Sequence, residues 1–225
     1  MEVDRNEAGG SPMIAAISMM RRRADLRLEQ FRRHWLDPHG VMTAELPGLR
    51  TYIQSHCIDA PGTNALAREL AIDGFPQLWF DCLDARKIAY SSPRIAQCNI
   101  DSEQFVGSVS RLVTEPRVIV ARPAVEATKV IVLAVGPSSP SWSQQLSHRV
   151  LALDGLVGLV EHELLEQAAA PASKIPELKI QVSGIAEVSF ATEVALERHA
   201  EALAGWAPDS ERTAIYRVRD YGLRS

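Results

Sequence analysis

The chain has 225 residues, 46% hydrophobic and 23% charged, near the globular average, so it has the apolar content to bury a core. The net charge is only −4, and residues 1–120 carry 14 basic and 15 acidic groups against 10 and 13 in residues 121–225. Neither half has the one-signed field that nucleic acid or an anionic membrane needs, and the three cysteines Cys57, Cys82 and Cys98, in no C-x-x-C spacing, point away from a disulfide framework and toward a reducing, cytoplasmic setting.

Residues 1–12 are polar and acidic, lack the charged entry and apolar run of a signal peptide, and are read as a flexible tail. Met13–Met20 is a short apolar run of strand type, followed by Arg21-Arg22-Arg23, a solvated turn or local anion contact. Leu28, Phe31, Trp35 and Leu36 recur at helical spacing. Pro38 disfavours helix at Asp37, so the helix is predicted over 28–37 with His39 just beyond its end. Leu49–Ile58 and Phe75–Cys82 read as strands, with Thr63–Leu70 a variable connection. A helix is predicted over Ser102–Val113, its stripe formed by Phe105, Val106, Val109 and Leu112, and a last strand over Arg117–Ala121. After a short junction near Arg122–Ala127 come strand 129–135, helix 141–151, strands 156–163 and 184–190, helix 192–205 and strand 212–219, with Leu165–Pro176 another variable connection. No stretch approaches the ~20 apolar residues of a membrane span.

The two halves echo each other. Leu46, Gly48, Leu49 and Ile53 fall on Leu153, Gly155, Leu156 and Val160; Trp35 falls on Trp142; Gly74 and Phe80 fall on Gly184 and Phe190. Shared order and near-constant spacing imply duplication of a roughly hundred-residue unit. The expected fold class is therefore α+β: two tandem ferredoxin-like β-α-β-β-α-β units, residues 13–122 and 128–225. Each unit's sheet has one bare apolar face, and packing the two faces together as a barrel would cover both within one chain. Further self-association of this pseudo-dimer is left open.

Period-two alternation separates Thr51, Ile53, Ser55 and Cys57 from Arg50, Tyr52, Gln54 and His56. It likewise separates Pro76, Leu78 and Phe80 from Phe75, Gln77, Trp79 and Asp81. The more apolar set is expected to meet the helices. Tyr52, Gln54, His56, Gln77, Trp79 and Asp81 would then line the barrel interior as a mixed aromatic and polar pocket for a small molecule.

The segments L-E-Q-F-R-R-H-W-L-D-P-H-G-V-M, L-P-G-L-R-T-Y-I-Q-S-H and D-G-F-P-Q-L-W-F-D resemble the EthD family of the dimeric α/β-barrel superfamily, over roughly residues 13–120, with residues 128–219 a degenerate echo. The family takes its name from an association with ethyl tert-butyl ether degradation. The wider superfamily includes cofactor-free monooxygenases, lactone isomerases, and dehydratases or cyclases, so the resemblance implies ferredoxin-like subunits and no cofactor. It places the family's helix-end histidine at His39 and its Tyr-x-Gln-x-His strand at Tyr52, Gln54 and His56. The strand acid usual before L-W-F is replaced by Gln77, while the second copy has Glu187 there. That copy puts Leu146, Leu159 and Glu163 where His39, Tyr52 and His56 stand, so a second equivalent site is not expected.

His39 and His56 suit proton transfer near neutrality, and Tyr52 suits hydrogen bonding to an oxyanion. The competing roles are a helix-terminal cap, an exposed strand-end imidazole, and a core ring with a wet hydroxyl. Trp35 and Trp79 are core or pocket wall, Asp81 a turn former or charge partner, and His34 a surface or interface residue. The spacing of His34 and His39 is not the helical i, i+4 of a zinc pair, and alternation sets His162 opposite Glu161 and Glu163, so no metal is assigned. No G-x-G-x-x-G, P-loop or G-x-S-x-G motif is present, nor an axial-ligand pattern for haem. The expected function is cofactor-independent chemistry on a small hydrophobic or aromatic carbonyl-bearing metabolite. His39 or His56 moves a proton, Tyr52 and Gln54 orient an oxygen, and Trp35, Gln77, Trp79, Asp81 and Glu187 contact substrate. The alternative is a small-molecule binding or accessory protein without turnover.

Overall fold

A computed structural model describes residues 13–121, 127–137, 142–168, 174–205 and 212–224. The tail 1–12 and most of the junction, residues 122–126, lie outside the described residues. Eight antiparallel strands close into a barrel: β1 (Ile14–Arg22), β2 (Leu49–Cys57), β3 (Gly74–Phe80), β4 (Val106–Val120), β5 (Thr128–Val135), β6 (Leu156–Ala168), β7 (Val182–Phe190) and β8 (Arg212–Arg224). Around the barrel they run β1-β3-β2-β8-β5-β7-β6-β4, and β4 returns to β1. The order β4-β1-β3-β2 in the first half recurs as β8-β5-β7-β6 in the second, and β2·β8 and β4·β6 join the halves.

Alternation along each strand separates two cores. Ala15, Ile17, Met19, Phe75, Leu112, Ile131, Leu133, Ile185, Ala214 and Tyr216 fill the barrel with side chains. On the outside, Leu49, Tyr52, Leu78 and Phe80 meet the helices of the first half, and Val130, Val132, Val188 and Ile215 meet those of the second. Two packing details repeat. A Cβ at Gly74 would overlap the Trp35 ring, and one at Gly184 would sit 2.6 Å from the Trp142 ring. Gly48 and Gly155 share a positive φ (+72° and +81°) and face Ala85 and Ala195, the same offset of residues apart as Gly74 and Gly184.

The elements depart from expectation in four places. α1 (Leu28–His34) passes into one wide turn over Trp35–His39, broken at Asp37 (φ −152°, ψ 116°) before Pro38, and helix resumes as α2 (Gly40–Ala44). Proline interrupts as expected, but its fixed φ also suits a new start. His39 is therefore at the head of a second helix, 8% exposed, and not trailing past the end of the first. The stretch Thr63–Leu70 contains α3 (Ala65–Leu70), capped by Asn64 Oδ1 on the Ala67 N–H at 3.0 Å; Asn64 Nδ2 donates to the Thr213 carbonyl, tying the helix to β8. The predicted helix 102–113 is a strand: Val106–Val120 pairs with β1 and β6, and long-range pairing overrides the local helical stripe. The helical mass lies earlier, in α4 (Leu83–Tyr90) and α5 (Pro93–Ser102), the latter started by Ser92 Oγ accepting from the Ile95 N–H with Pro93 in the first turn. Lastly, β6 runs on to Ala168, into the expected connection 165–176. α6 (Trp142–Val150) and α7 (Glu193–Ala204) fall where predicted. The sheet order leaves α5 beside α2, and these two helices frame the site.

Candidate functional site

The break between α1 and α2 turns His39 toward α5. His39 Nδ1 lies 2.8 Å from Asp101 Oδ2, and His34 Nε2 lies 3.0 Å from Asp101 Oδ1, so one buried carboxylate holds two imidazoles. The hydrogen bond from His39, more than that from His34, keeps the Asp101 carboxyl below its ordinary range against the opposing effect of burial. On the other side of the ring, Thr43 Oγ1 lies 3.1 Å from His39 Nε2 and 3.7 Å from Cys98 Sγ. With Nδ1–H donated to Asp101, Nε2 is left as the basic nitrogen.

Tyr52 completes this wall. Its oxygen accepts from Gln54 Nε2 (2.9 Å) and Trp35 Nε1 (3.3 Å). Both acceptor sites being occupied, its own O–H is the group left to donate, with Thr43 beside it, and burial pushes its pKa up, so Tyr52 stays a neutral donor. Gln54 is fixed from behind: Nε2 also donates to the Trp35 carbonyl at 2.7 Å, and Oε1 lies 3.0 Å from His56 Nε2. The Trp35 ring in turn stacks on His56, centroids 4.2 Å apart.

His39, Thr43, Tyr52 and Cys98 line a cavity of about 70 Å³ between the sheet and helices α2, α4 and α5, with Ser18, Tyr90, Asn99, Arg111 and Ile175 among its other walls. The site is thus on the helix side of the first half. This corrects the expected placement. Tyr52, Gln54 and His56 face the helices, and Thr51, Ile53, Ser55 and Cys57 face the barrel. Both layers are packed, so the hydrophobic contrast between the two faces of β2 is slight.

The remaining predicted residues fall elsewhere. His56 does not line the cavity; it is 2% exposed, and burial, aided by the Arg32 charge, lowers its pKa to about 4, so it is neutral at pH 7. Gln77, Trp79 and Glu187 do point into the barrel, where Gln77 Nε2 donates to Glu187 Oε2 at 3.3 Å and Trp79 meets His162 edge-on. There Lys129, 2% exposed, bridges Glu187 (2.5 Å) and Asp220 (2.8 Å), and His162 Nε2 lies 3.1 Å from Glu187 Oε1. Burial would raise the Glu187 pKa, but Lys129 and His162 outweigh it and hold the carboxyl low. Asp81 is on the surface, paired with Arg50 at 2.5 Å. His34, expected at the surface or an interface, is half-buried against Asp101. Among the described residues no cluster of three metal-ligating side chains occurs.

Asp101, Thr43, Arg111 and Lys129 were not singled out from sequence. The Ser92-Pro93 cap signal could have found the helix that carries Asp101, and i, i+4 spacing could have placed Thr43 beside His39.

An eight-stranded α+β barrel with a histidine–carboxylate pair under its helices belongs to a fold that known structures share. Across most of its length the chain is similar to an anthrone oxidase-like protein (TM-score 0.58, 8% identity, covering 95% of this chain and 94% of that one). It is also similar to proteins provisionally named monooxygenases from Lactobacillus acidophilus NCFM (0.54, 9%, covering 93% and 94%) and Fusobacterium nucleatum subsp. nucleatum (0.54, 7%, covering 92% and 93%). At such identities the likeness is one of fold. Residues 23–108 match the EthD domain profile, a span from α1 to the start of β4 that includes every residue from His39 to Asp101. A search of curated proteins finds no match. No helix among the described residues is long and apolar enough to cross a membrane.

Proposed function

We propose that the chain is a small-molecule enzyme that moves a proton next to a carbonyl group, with His39 as the base. The carrying observation is the hydrogen-bonded series Asp101–His39–Thr43 opening on the cavity beside the Tyr52 hydroxyl. Asp101 fixes the Nδ1–H tautomer and stabilises the imidazolium that forms, and Nε2 takes a proton from the carbon beside the carbonyl. Tyr52 donates to the carbonyl oxygen as negative charge develops. Dehydration, isomerisation and decarboxylation all begin or end with such a step, and oxygenation without a cofactor begins with the carbanion it yields. A general base contributes ~10²–10⁴-fold and an oxyanion donor ~10²–10³-fold.

The site sits in the first of two tandem units, residues 13–122 and 128–225, that form one intramolecular pseudo-dimer. In support of duplication stand the recurring strand order, the Trp–Gly contacts 35/74 and 142/184, and the paired glycine turns. The second unit has Leu146 and Leu159 packed in its core at the positions of His39 and Tyr52, and no helix equivalent to α5 among the described residues. It is scaffold. Three free cysteines fit a cytoplasmic setting.

The second reading is a ligand-binding protein without turnover; a cavity below the ~300–1,000 Å³ of typical ligand pockets restricts either reading to a small molecule. A screen of small carbonyl compounds for solvent deuterium incorporation separates the two. Exchange lost in His39→Ala and kept in His56→Ala supports proton transfer. Exchange surviving His39→Ala removes the assignment.

A further inference from the structure

The cavity contains a charge that the proton-transfer reading does not use. Arg111, on β4, stands opposite Ser18 of β1, and both side chains line the cavity that His39 and Tyr52 line. Burial lowers its pKa, Tyr90 opposes that shift, and the neighbouring Arg86 charge adds to it. Arg86 lies over the Tyr90 ring, 4.4 Å from the centroid, and its Nε is buried without a hydrogen-bond partner. Arg111 and Tyr90 thus share the cavity wall, with the Arg86 guanidinium close enough to act on Arg111.

Neither has a carboxylate partner among the described residues. The surrounding acids are engaged elsewhere: Asp81 with Arg50, Asp84 with Lys87, Glu45 with Arg94, and Asp101 with His34 and His39. A half-buried arginine, repelled by a second one and given no anion by its own chain, is held in an unfavourable state that a ligand anion would relieve. Guanidinium is also the group that binds a planar carboxylate through two parallel hydrogen bonds. Tyr90 supplies an aromatic wall, and Ser18 and Asn99 add polar atoms nearby.

We infer that Arg111 forms a carboxylate subsite at the end of the His39 cavity, so that the substrate is a small hydrophobic or aromatic acid held by its carboxylate while the carbonyl faces Tyr52 and His39. The inference rests on the proposed site and names its substrate class. The Arg111 anchor fixes the direction in which such a molecule enters, acid toward β4 and reacting carbon toward α2.

The test uses benzoate, phenylacetate and cinnamate with their neutral amides as probes. Each is titrated into the full chain while the His39 ring resonances are followed by NMR. The acids are expected to bind about tenfold more tightly than the amides, the difference of one charge-assisted contact. Arg111→Met should abolish that preference, and Arg111→Lys, which keeps charge and most of the packing, should keep part of it. Amides binding as well as acids, with His39 still responding, would overturn the carboxylate subsite and leave the site itself standing. Acid preference unchanged in Arg111→Met would overturn it too. Binding without any response at His39 would remove the proposed site, and the inference with it. Failure of every acid to bind would also refute it.

Discussion

Trp35 lies so close over Gly74 that the hydrogen on the glycine Cα is all the space allows; a methyl there would overlap the indole ring. That ring carries more than packing. Its Nε1 donates to the Tyr52 oxygen, its face stacks on His56, and its backbone carbonyl accepts from Gln54. Gly74→Ala is therefore expected to cost about 1–3 kcal/mol, the usual range for overpacking a tight core, and to disturb Tyr52 as well. Gly184→Ala, against Trp142, should cost a similar amount and leave ligand binding at the His39 cavity unchanged. Urea denaturation gives the two stabilities, and ligand titration shows whether only the first substitution reaches the site.

The same tryptophan–glycine contacts mark what could be read in the sequence. Trp35, Trp142, Gly74 and Gly184 were visible as matched residues at matched spacing, because a ring packed on a bare backbone tolerates little else at either position. The face of β2 was not readable. Tyr52, Gln54 and His56 meet helices while Ile53 and Ser55 meet the barrel core, so both faces are buried and alternation loses its meaning. Asp101 was hidden because Phe105, Val106, Val109 and Leu112 imitate a helical stripe and set the predicted helix at 102–113, just where the real one ends at Ser102. Lys129 gave no sign at all, since its carboxylate partner Glu187 is 58 residues away and only the pairing of β5 with β7 brings them together.

His56 should make the fold sensitive to mild acid. Its folded pKa is about 4 against an ordinary 6.5, with burial the main cause. Above pH 6.5 neither state is protonated there, and the full stability is present. Between 6.5 and 4 the unfolded chain binds a proton that the folded chain refuses, so stability falls as pH falls, by about 3 kcal/mol across the window. Asp101 adds a loss only lower down: its carboxyl is held below 3.8, so its contribution is intact above that value and disappears as pH drops through the folded pKa. Denaturation midpoints measured from pH 7 to 4 should slope downward in the natural chain. In His56→Gln, which keeps a donor for Gln54 Oε1, the slope should flatten. An unchanged slope would assign the acid sensitivity to another group.

Asp101→Asn separates positioning from structure. Asparagine can keep the shape of the pair, but its amide can donate to the ring where the carboxylate only accepts, which releases the constraint on the His39 tautomer. The expected result is a shift of the His39 proton from Nδ1 toward Nε2, read from imidazole ¹⁵N shifts. A fall in any turnover of about 10²–10⁴-fold should accompany it. Stability should drop by about 1–3 kcal/mol, because two hydrogen bonds to a charged group weaken together. Stability loss with no change in tautomer would make Asp101 a structural cap and nothing more.

The charged group inside the barrel makes the opposite kind of prediction, one about the fold without the site. Lys129 holds Glu187 and Asp220 at once and donates to Ser55 Oγ at 3.2 Å, while Ser55 Oγ in turn donates to Asp220 Oδ1 at 2.7 Å and receives Gln77 Nε2 at 3.2 Å. Ser55 and Gln77 come from the first half and the three charges from the second, so the network is where the halves recognise each other. Lys129→Met strands the buried carboxylate of Glu187 and the partly buried one of Asp220 and should cost about 3–5 kcal/mol in urea denaturation. Lys129→Met with Glu187→Leu removes the most deeply buried pair together. Asp220 then retains Ser55 as a donor and, with its side chain 16% exposed, some access to water. The double variant should recover most of the loss, since a buried ion pair replaced by apolar residues of similar volume is often neutral. Recovery would mean the pair contributes specificity of assembly more than stability. A double variant as weak as the single one would instead show that the barrel halves depend on these charges to stay closed.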